Sequence, residues 1–184
     1  MVKSKRRLLG DLSSKDEVER MIRVNHAGEY GAVRIYQGQL RVLQRKPISK
    51  VLREMLNHEE KHLLKFESEI VKRKIRPTAL LPFWHLCGYA LGAGSALLGE
   101  KAAMACTVAV EEVIDEHYSS QIDALSEKDD EKLLRDTFVE FRDDELEHKD
   151  TGLSLEADKL PGYKLFTGAI KKGSRLAIWL STRL

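Results

Sequence analysis

Four stretches of this chain repeat apolar side chains at steps of three, four and seven, and each carries acid inside that stripe. The stripes read Ile22, Glu29, Val33, Tyr36, Leu40; then Leu52, Met55, Glu59, His62, Phe66, Ile70; then Met104, Val108, Glu111, Tyr118, Ile122; then Leu134, Phe138, Phe141, Glu145, His148, Leu155. These steps keep side chains on one face of a helix, and an apolar face turns toward a core. Runs of β-branched alternation are scarce, so the chain reads as all-α. It must therefore fold with carboxylates pointing inward. Lys and Arg are absent from the four stripes, and unpaired buried carboxylates are very costly. Two divalent cations would cancel four such charges.

The spacing supplies ligands for those cations. Glu59-x-x-His62 and Glu145-x-x-His148 each set a carboxylate and an imidazole one turn apart, and Glu29 and Glu111 add one carboxylate each. One Glu from each of two helices with Glu-x-x-His from each of two others is the ligand set of ferritin-like dimetal bundles. The order Glu, then Glu-x-x-His, occurs twice along the chain, which predicts two similar halves about a pseudo-twofold axis. Oxygen and nitrogen donors without thiolate suit iron or manganese, and zinc would leave redox chemistry unexplained. Nearby Glu60, Glu112, Asp144 and Glu147 read as solvated acids, and His26, His58 and His117 as core or supporting residues. The two cysteines, Cys87 and Cys106, exclude a disulfide framework and a thiolate cage, and read as buried reduced thiols.

Helix ends follow from caps and breakers. The first helix is expected over about 16–44, with Ser14 and Glu17 as a capping box and Pro47 beyond the end. The second is expected over about 48–74, the third over 99–125, the fourth over 129–158, and a last amphipathic helix over 163–180. Between the second and third lie 23 residues, 77–99, without a formal charge. That length meets the threshold for a membrane span. Pro82, His85 and four glycines argue against one spanning helix, and predict a segment lying in the membrane interface or folded over an apolar channel.

At 184 residues, 42% hydrophobic and 33% charged, the composition is that of one globular domain and excludes disorder and a multi-span membrane protein. Ten of the 31 bases lie at the ends: Lys3, Lys5, Arg6 and Arg7, and Lys159, Lys164, Lys171, Lys172, Arg175 and Arg183. The other 21 face all 29 acids. An acidic middle suits cations, and basic ends suit anionic lipid. The division expected is a basic N-terminal extension at 1–15 and a bundle domain at 16–184 with membrane-facing segments at about 77–99 and 163–184. The basic start runs into Asp11, Asp16 and Glu17 instead of an apolar stretch, so no secretory signal is expected.

Three motifs are long and specific: MIRVNHAGEYGAVRIYQGQL at 21–40, RPTALLPFWHLCGYALGAGSALLGEKAAMACTVAVEE at 76–112 and FRDDELEHKDTGL at 141–153. Through them the chain closely resembles the demethoxyubiquinone hydroxylases of ubiquinone biosynthesis, from about Met21 to Leu184. The segment 47–58 departs more. The resemblance implies a ferritin-like four-helix bundle holding two ferrous ions, a monooxygenase that adds a hydroxyl to the quinone ring of demethoxyubiquinone using dioxygen. It carries the metal ligands onto Glu29, Glu59, His62, Glu111, Glu145 and His148. In the ferritin-like arrangement Glu59 and Glu145 bridge, while Glu29 with His62, and Glu111 with His148, are terminal. Tyr118 and His117 are candidates for a proton or electron route.

No dinucleotide fingerprint is present, since Gly92-Ala93-Gly94 follows no strand, so electrons are expected from outside; the resemblance implies NADH, directly or through a reductase partner, as their source. The partners implied are a polyprenyl quinone substrate, a peripheral membrane contact, a lipid-binding or ubiquinone-synthesis partner protein and, optionally, a homo-oligomer. Nucleic acid is not expected. The location implied is the cytoplasmic face of a bacterial inner membrane, or the matrix side of the mitochondrial one. Two rival classes share the pattern: another ferritin-like dimetal protein, for iron storage or as a manganese catalase, and a non-enzymatic lipid-binding bundle.

Overall fold

The computed structural model describes residues 13–184, so the basic cluster of Lys3, Lys5, Arg6 and Arg7 lies outside the described residues. Among those residues are six α-helices and no strand: α1 (Ser14–Leu43), α2 (Ser49–Arg73), α3 (Leu81–Leu97), α4 (Glu100–Leu125), α5 (Lys132–Ser154) and α6 (Tyr163–Ser181). The capping box at the start of α1 is one residue earlier than expected. Ser13 Oγ accepts the Asp16 N–H, and Asp16 Oδ2 accepts the Ser13 N–H. Two adjacent serines, each three residues before an acid, offered both registers. The fourth stripe also ends early: short 3-10 turns at 129–131 and 157–159 flank α5, and Leu155 lies beyond its end, exposed.

The apolar stripes of α1, α2, α4 and α5 meet in two layers. One gathers Val18, Ile22, Phe66, Leu125, Leu134 and Phe138, and the other Leu40, Leu52, Met55, Met104 and Ala157. Helix direction follows from which layer each end joins. α1 and α5 run one way, and α2 and α4 the other. The acidic positions of all four helices fall between the layers, at the waist of the bundle.

This direction pattern requires a crossover, because α2 ends at one layer and α4 must begin at the other. The uncharged segment 77–99 provides it. The expectation that Pro82 and the glycines break a single helix is corrected: α3 is one continuous helix, about 26 Å long. Pro82 sits in its first turn, where the missing N–H would be unbonded anyway. The glycines serve packing instead. A Cβ on Gly92 would overlap the Ile35 carbonyl oxygen, and one on Gly88 would lie 2.8 Å from the Gly31 carbonyl oxygen, so α3 lies backbone to backbone along α1. Gly99, at φ +111°, separates α3 from α4. No described helix is long and apolar enough to cross a membrane.

α6 returns along α4, held by Lys171 to Glu112 and by Arg175 to Glu116 at 3.0 Å. Trp84 Nε1–H donates to Ser181 Oγ at 3.0 Å, tying the start of α3 to the end of α6.

Candidate metal centre

The six candidate ligands come together at the waist, all buried. Donor atoms of Glu29, Glu59, His62 and Glu145 lie within 4.8 Å of one another, and so do those of Glu59, Glu111, Glu145 and His148. Glu59 and Glu145 belong to both groups. His62 Nδ1 lies 3.2 Å from Glu145 Oε1 and 3.5 Å from Glu29 Oε2, and His148 Nδ1 lies 3.1 Å from Glu59 Oε1. These approaches lack hydrogen-bond geometry: Glu59 Oε1, both Glu145 oxygens and both Nδ1 atoms are buried without a hydrogen-bond partner. Orphaned donors converging from four helices are what a pair of cations would satisfy, so the residues present fit two divalent ions.

Without cations, the charge is taken up by protons. Burial, then the charges of Glu145 and Glu29, push Glu59 well above the usual carboxylate range, and burial with Glu145 and Glu59 does the same to Glu111. Burial pulls His62 down, but the close approach and negative charge of the Glu145 and Glu29 carboxylates outweigh it and raise it to about 12. Burial likewise opposes, and Glu145 and Glu111 outweigh it, in raising His148. Glu145 goes the other way. Burial would raise it, but the two histidines bring it down to about 2.

Several neighbours support this centre. The Tyr118 hydroxyl donates to Glu29 Oε1, and the Tyr36 hydroxyl donates to Glu111 Oε1 at 2.8 Å. Each tyrosine stands seven residues after the carboxylate of its own helix and reaches the carboxylate of the other helix. The apolar stripe marks Tyr36 only as core; its Glu-x6-Tyr spacing, repeated in α4, is the signal in the sequence that points further. His117 does not join the cluster. Its Nε2 contacts Gln121 Nε2 at 2.8 Å, beside the Gln121–Asn25 amide pair, and burial lowers it to about 4.

Asp144 corrects the expectation of a solvated acid, since its Oδ2 accepts the His62 Nε2–H at 3.0 Å. A carboxylate only accepts, so Nε2 carries the proton and Nδ1 keeps the free lone pair in the neutral ring. His58 Nδ1 stands 3.2 Å from His148 Nε2, with the two rings stacked. His62 and His148 thus both turn Nδ1 toward the carboxylates. The expected burial of both cysteines holds for Cys106, whereas Cys87 is half-buried.

Cys87 lines an apolar cavity of about 470 Å³ between α1, α3, α4 and α6. Its wall includes Gly28 and Val110, the chain neighbours of Glu29 and Glu111, together with Trp84 and Leu176. Outside it, α3 and α6 expose large apolar side chains, among them Leu86, Leu165 and Trp179, and Phe83 on its wall is exposed as well.

A family model described as ubiquinone biosynthesis protein COQ7 matches residues 16–181. The 3-demethoxyubiquinol 3-hydroxylase of Rhodospirillum rubrum is 54% identical over 179 residues, covering 97% of this chain and 84% of that protein. The mitochondrial NADPH-dependent 3-demethoxyubiquinone 3-hydroxylase of Homo sapiens is 51% identical over 176 residues, covering 95% and 81%. The mitochondrial 5-demethoxyubiquinone hydroxylase of Saccharomyces cerevisiae is 40% identical over 182 residues, covering 91% and 78%.

Proposed function

The chain belongs to the COQ7 family of ubiquinone-biosynthesis hydroxylases, and from that premise we propose that it is a di-iron monooxygenase hydroxylating the ring of demethoxyubiquinone or its quinol. The observation that carries this reading is the pair of buried four-residue groups sharing Glu59 and Glu145, set beside an apolar cavity. Glu29 and His62 would serve one ion, Glu111 and His148 the other, and the two shared carboxylates both. When bound, two ferrous ions would supply the redox chemistry that activates dioxygen.

The chain's own residues do the rest. Four carboxylates balance two divalent charges, so the loaded waist is neutral and can remain buried between apolar layers. The Tyr118 and Tyr36 hydroxyls fix the two terminal carboxylates and hold a proton beside each. The cavity offers apolar walls to a polyprenyl quinone, and because the chain neighbours of Glu29 and Glu111 line it, a ring held there would lie on the side of α1 and α4 next to the centre. Electrons come from reduced nicotinamide, directly or through a reductase. The human relative's name specifies NADPH, beside the NADH expected from sequence.

Such a substrate resides in a bilayer. Leu165 and Trp179 are 83% and 51% exposed, and Arg183 packs over the Trp179 ring at 4.1 Å. Exposed apolar side chains on a helix that also exposes Lys164 and Lys172, with Arg183 over Trp179, suit a peripheral contact with anionic lipid. Iron storage and catalase chemistry have no use for this cavity and surface. The test is to reduce the iron-loaded enzyme, supply demethoxyubiquinone and isotopically labelled dioxygen, and follow the label. Label in the product ring is expected; unlabelled product, or none with any reductant, overturns the reading.

A further inference from the structure

The two halves of the bundle hold matching residues at matching places. Glu29 pairs with Glu111, Glu59 with Glu145, His62 with His148, and the tyrosines are reciprocal. The match fails one residue before each shared glutamate, where α2 carries His58 and α5 carries Asp144. Both reach across to the histidine of the opposite helix. Asp144 accepts from His62 Nε2 at 3.0 Å, and His58 Nδ1 meets His148 Nε2 at 3.2 Å.

We propose that the two metal positions are chemically unequal, the one served by His62 binding its ion more tightly because a carboxylate backs that ring while an imidazole backs the other. This rests on the two-metal reading of the cluster. A carboxylate that accepts the outer N–H makes the inner nitrogen more basic and brings negative charge toward the ion. His58 supplies no negative charge in either protonation state. Neither residue belongs to the two donor groups, so Asp144 and His58 are positioning residues. Such partners change metal affinity by about 10- to 100-fold. Asp144 is 36% exposed, and solvent screening places the effect near the lower end, about tenfold.

The test strips the full chain of metal with a chelator and titrates it anaerobically with Co²⁺, following heat and the visible absorption of the bound ion. Two ions per chain in two steps are expected. Repulsion between ions across shared carboxylates would by itself separate the steps, so paired variants decide. Asp144→Asn keeps an oxygen for the His62 N–H but removes the charge; the first step weakens about tenfold and the absorption of the first equivalent shifts. His58→Asp places a carboxylate behind the second ring; the second step tightens by about the same factor and the gap narrows. Circular dichroism of the metal-free variants checks folding, and either folded variant is decisive without the other. A single affinity for both ions in the unaltered chain, or a folded variant whose steps and absorption stay where they were, overturns the proposal. Uptake of fewer than two Co²⁺ by the unaltered chain, or retention of two by Glu145→Ala, instead removes the two-metal reading beneath it.

Discussion

The waist of the bundle and the flank formed by α3 and α6 solve opposite problems with the same helical backbone. At the waist, six ionisable side chains are enclosed by apolar layers, with polar atoms left unpaired. On the flank, apolar side chains are exposed on helices that line an apolar cavity. A chain optimised only for stability would exchange these placements. Buried charge and exposed hydrophobicity, side by side in one domain, therefore point to function.

The largest break in this contrast is Glu145→Ala, which removes a carboxylate common to both groups. Iron content after anaerobic loading should fall from about two per chain to near zero, with hydroxylation lost and helicity retained. Next comes Gly92→Ala, which forces a methyl onto the Ile35 carbonyl where flank meets waist. Overpacking there should cost about 3 kcal/mol, read by urea unfolding; a cost below about 1 kcal/mol would mean that the seam can open.

The charge at the waist also makes a prediction in pH. Glu59, Glu111, His62 and His148 are raised in the metal-free fold, and a raised group favours folding below its unfolded pKa and loses that contribution as pH rises through the folded value. Glu145, lowered to about 2, loses its contribution only as pH falls toward that value. From about pH 6 to about pH 9 the metal-free chain should therefore lose stability, while metal that displaces these protons binds more tightly. The Tm gain on adding Co²⁺ should grow across that interval; a gain that shrinks would contradict the protonation pattern. On the flank, Leu165→Glu should weaken binding to anionic vesicles by about tenfold or more while leaving turnover in detergent unchanged, since burying one leucine contributes about 2 kcal/mol. The smallest effect is expected for Tyr36→Phe, about 1 kcal/mol in thermal unfolding of the metal-free chain, from loss of the hydrogen bond to Glu111.

The waist was legible in the sequence because helical period and ligand spacing express the same geometry, so residues 30 or more positions apart could be assigned to one layer. The flank was less so. Pro82 in a first turn and glycines in a helix seam have the same sequence appearance as breakers, and only the position of α1 distinguishes them. His58 was read as a core or supporting residue and stands behind His148, whereas Asp144 escaped for a related reason. A charged residue beside a stripe is usually solvated, and its reach to a histidine on another helix depends on an interhelical distance that periodicity does not encode.

The seam between α1 and α3 has a mechanical consequence. Where backbone lies against backbone there are few rotamers to rearrange, so that wall of the cavity is stiff. The opposite wall, α6, is fastened by long lysine and arginine side chains to Glu112 and Glu116, which can swivel without unfolding anything. Under the proposed function, any widening for an isoprenoid guest would fall to the middle of the C-terminal helix, since its end is tied to α3 by Trp84 and Ser181.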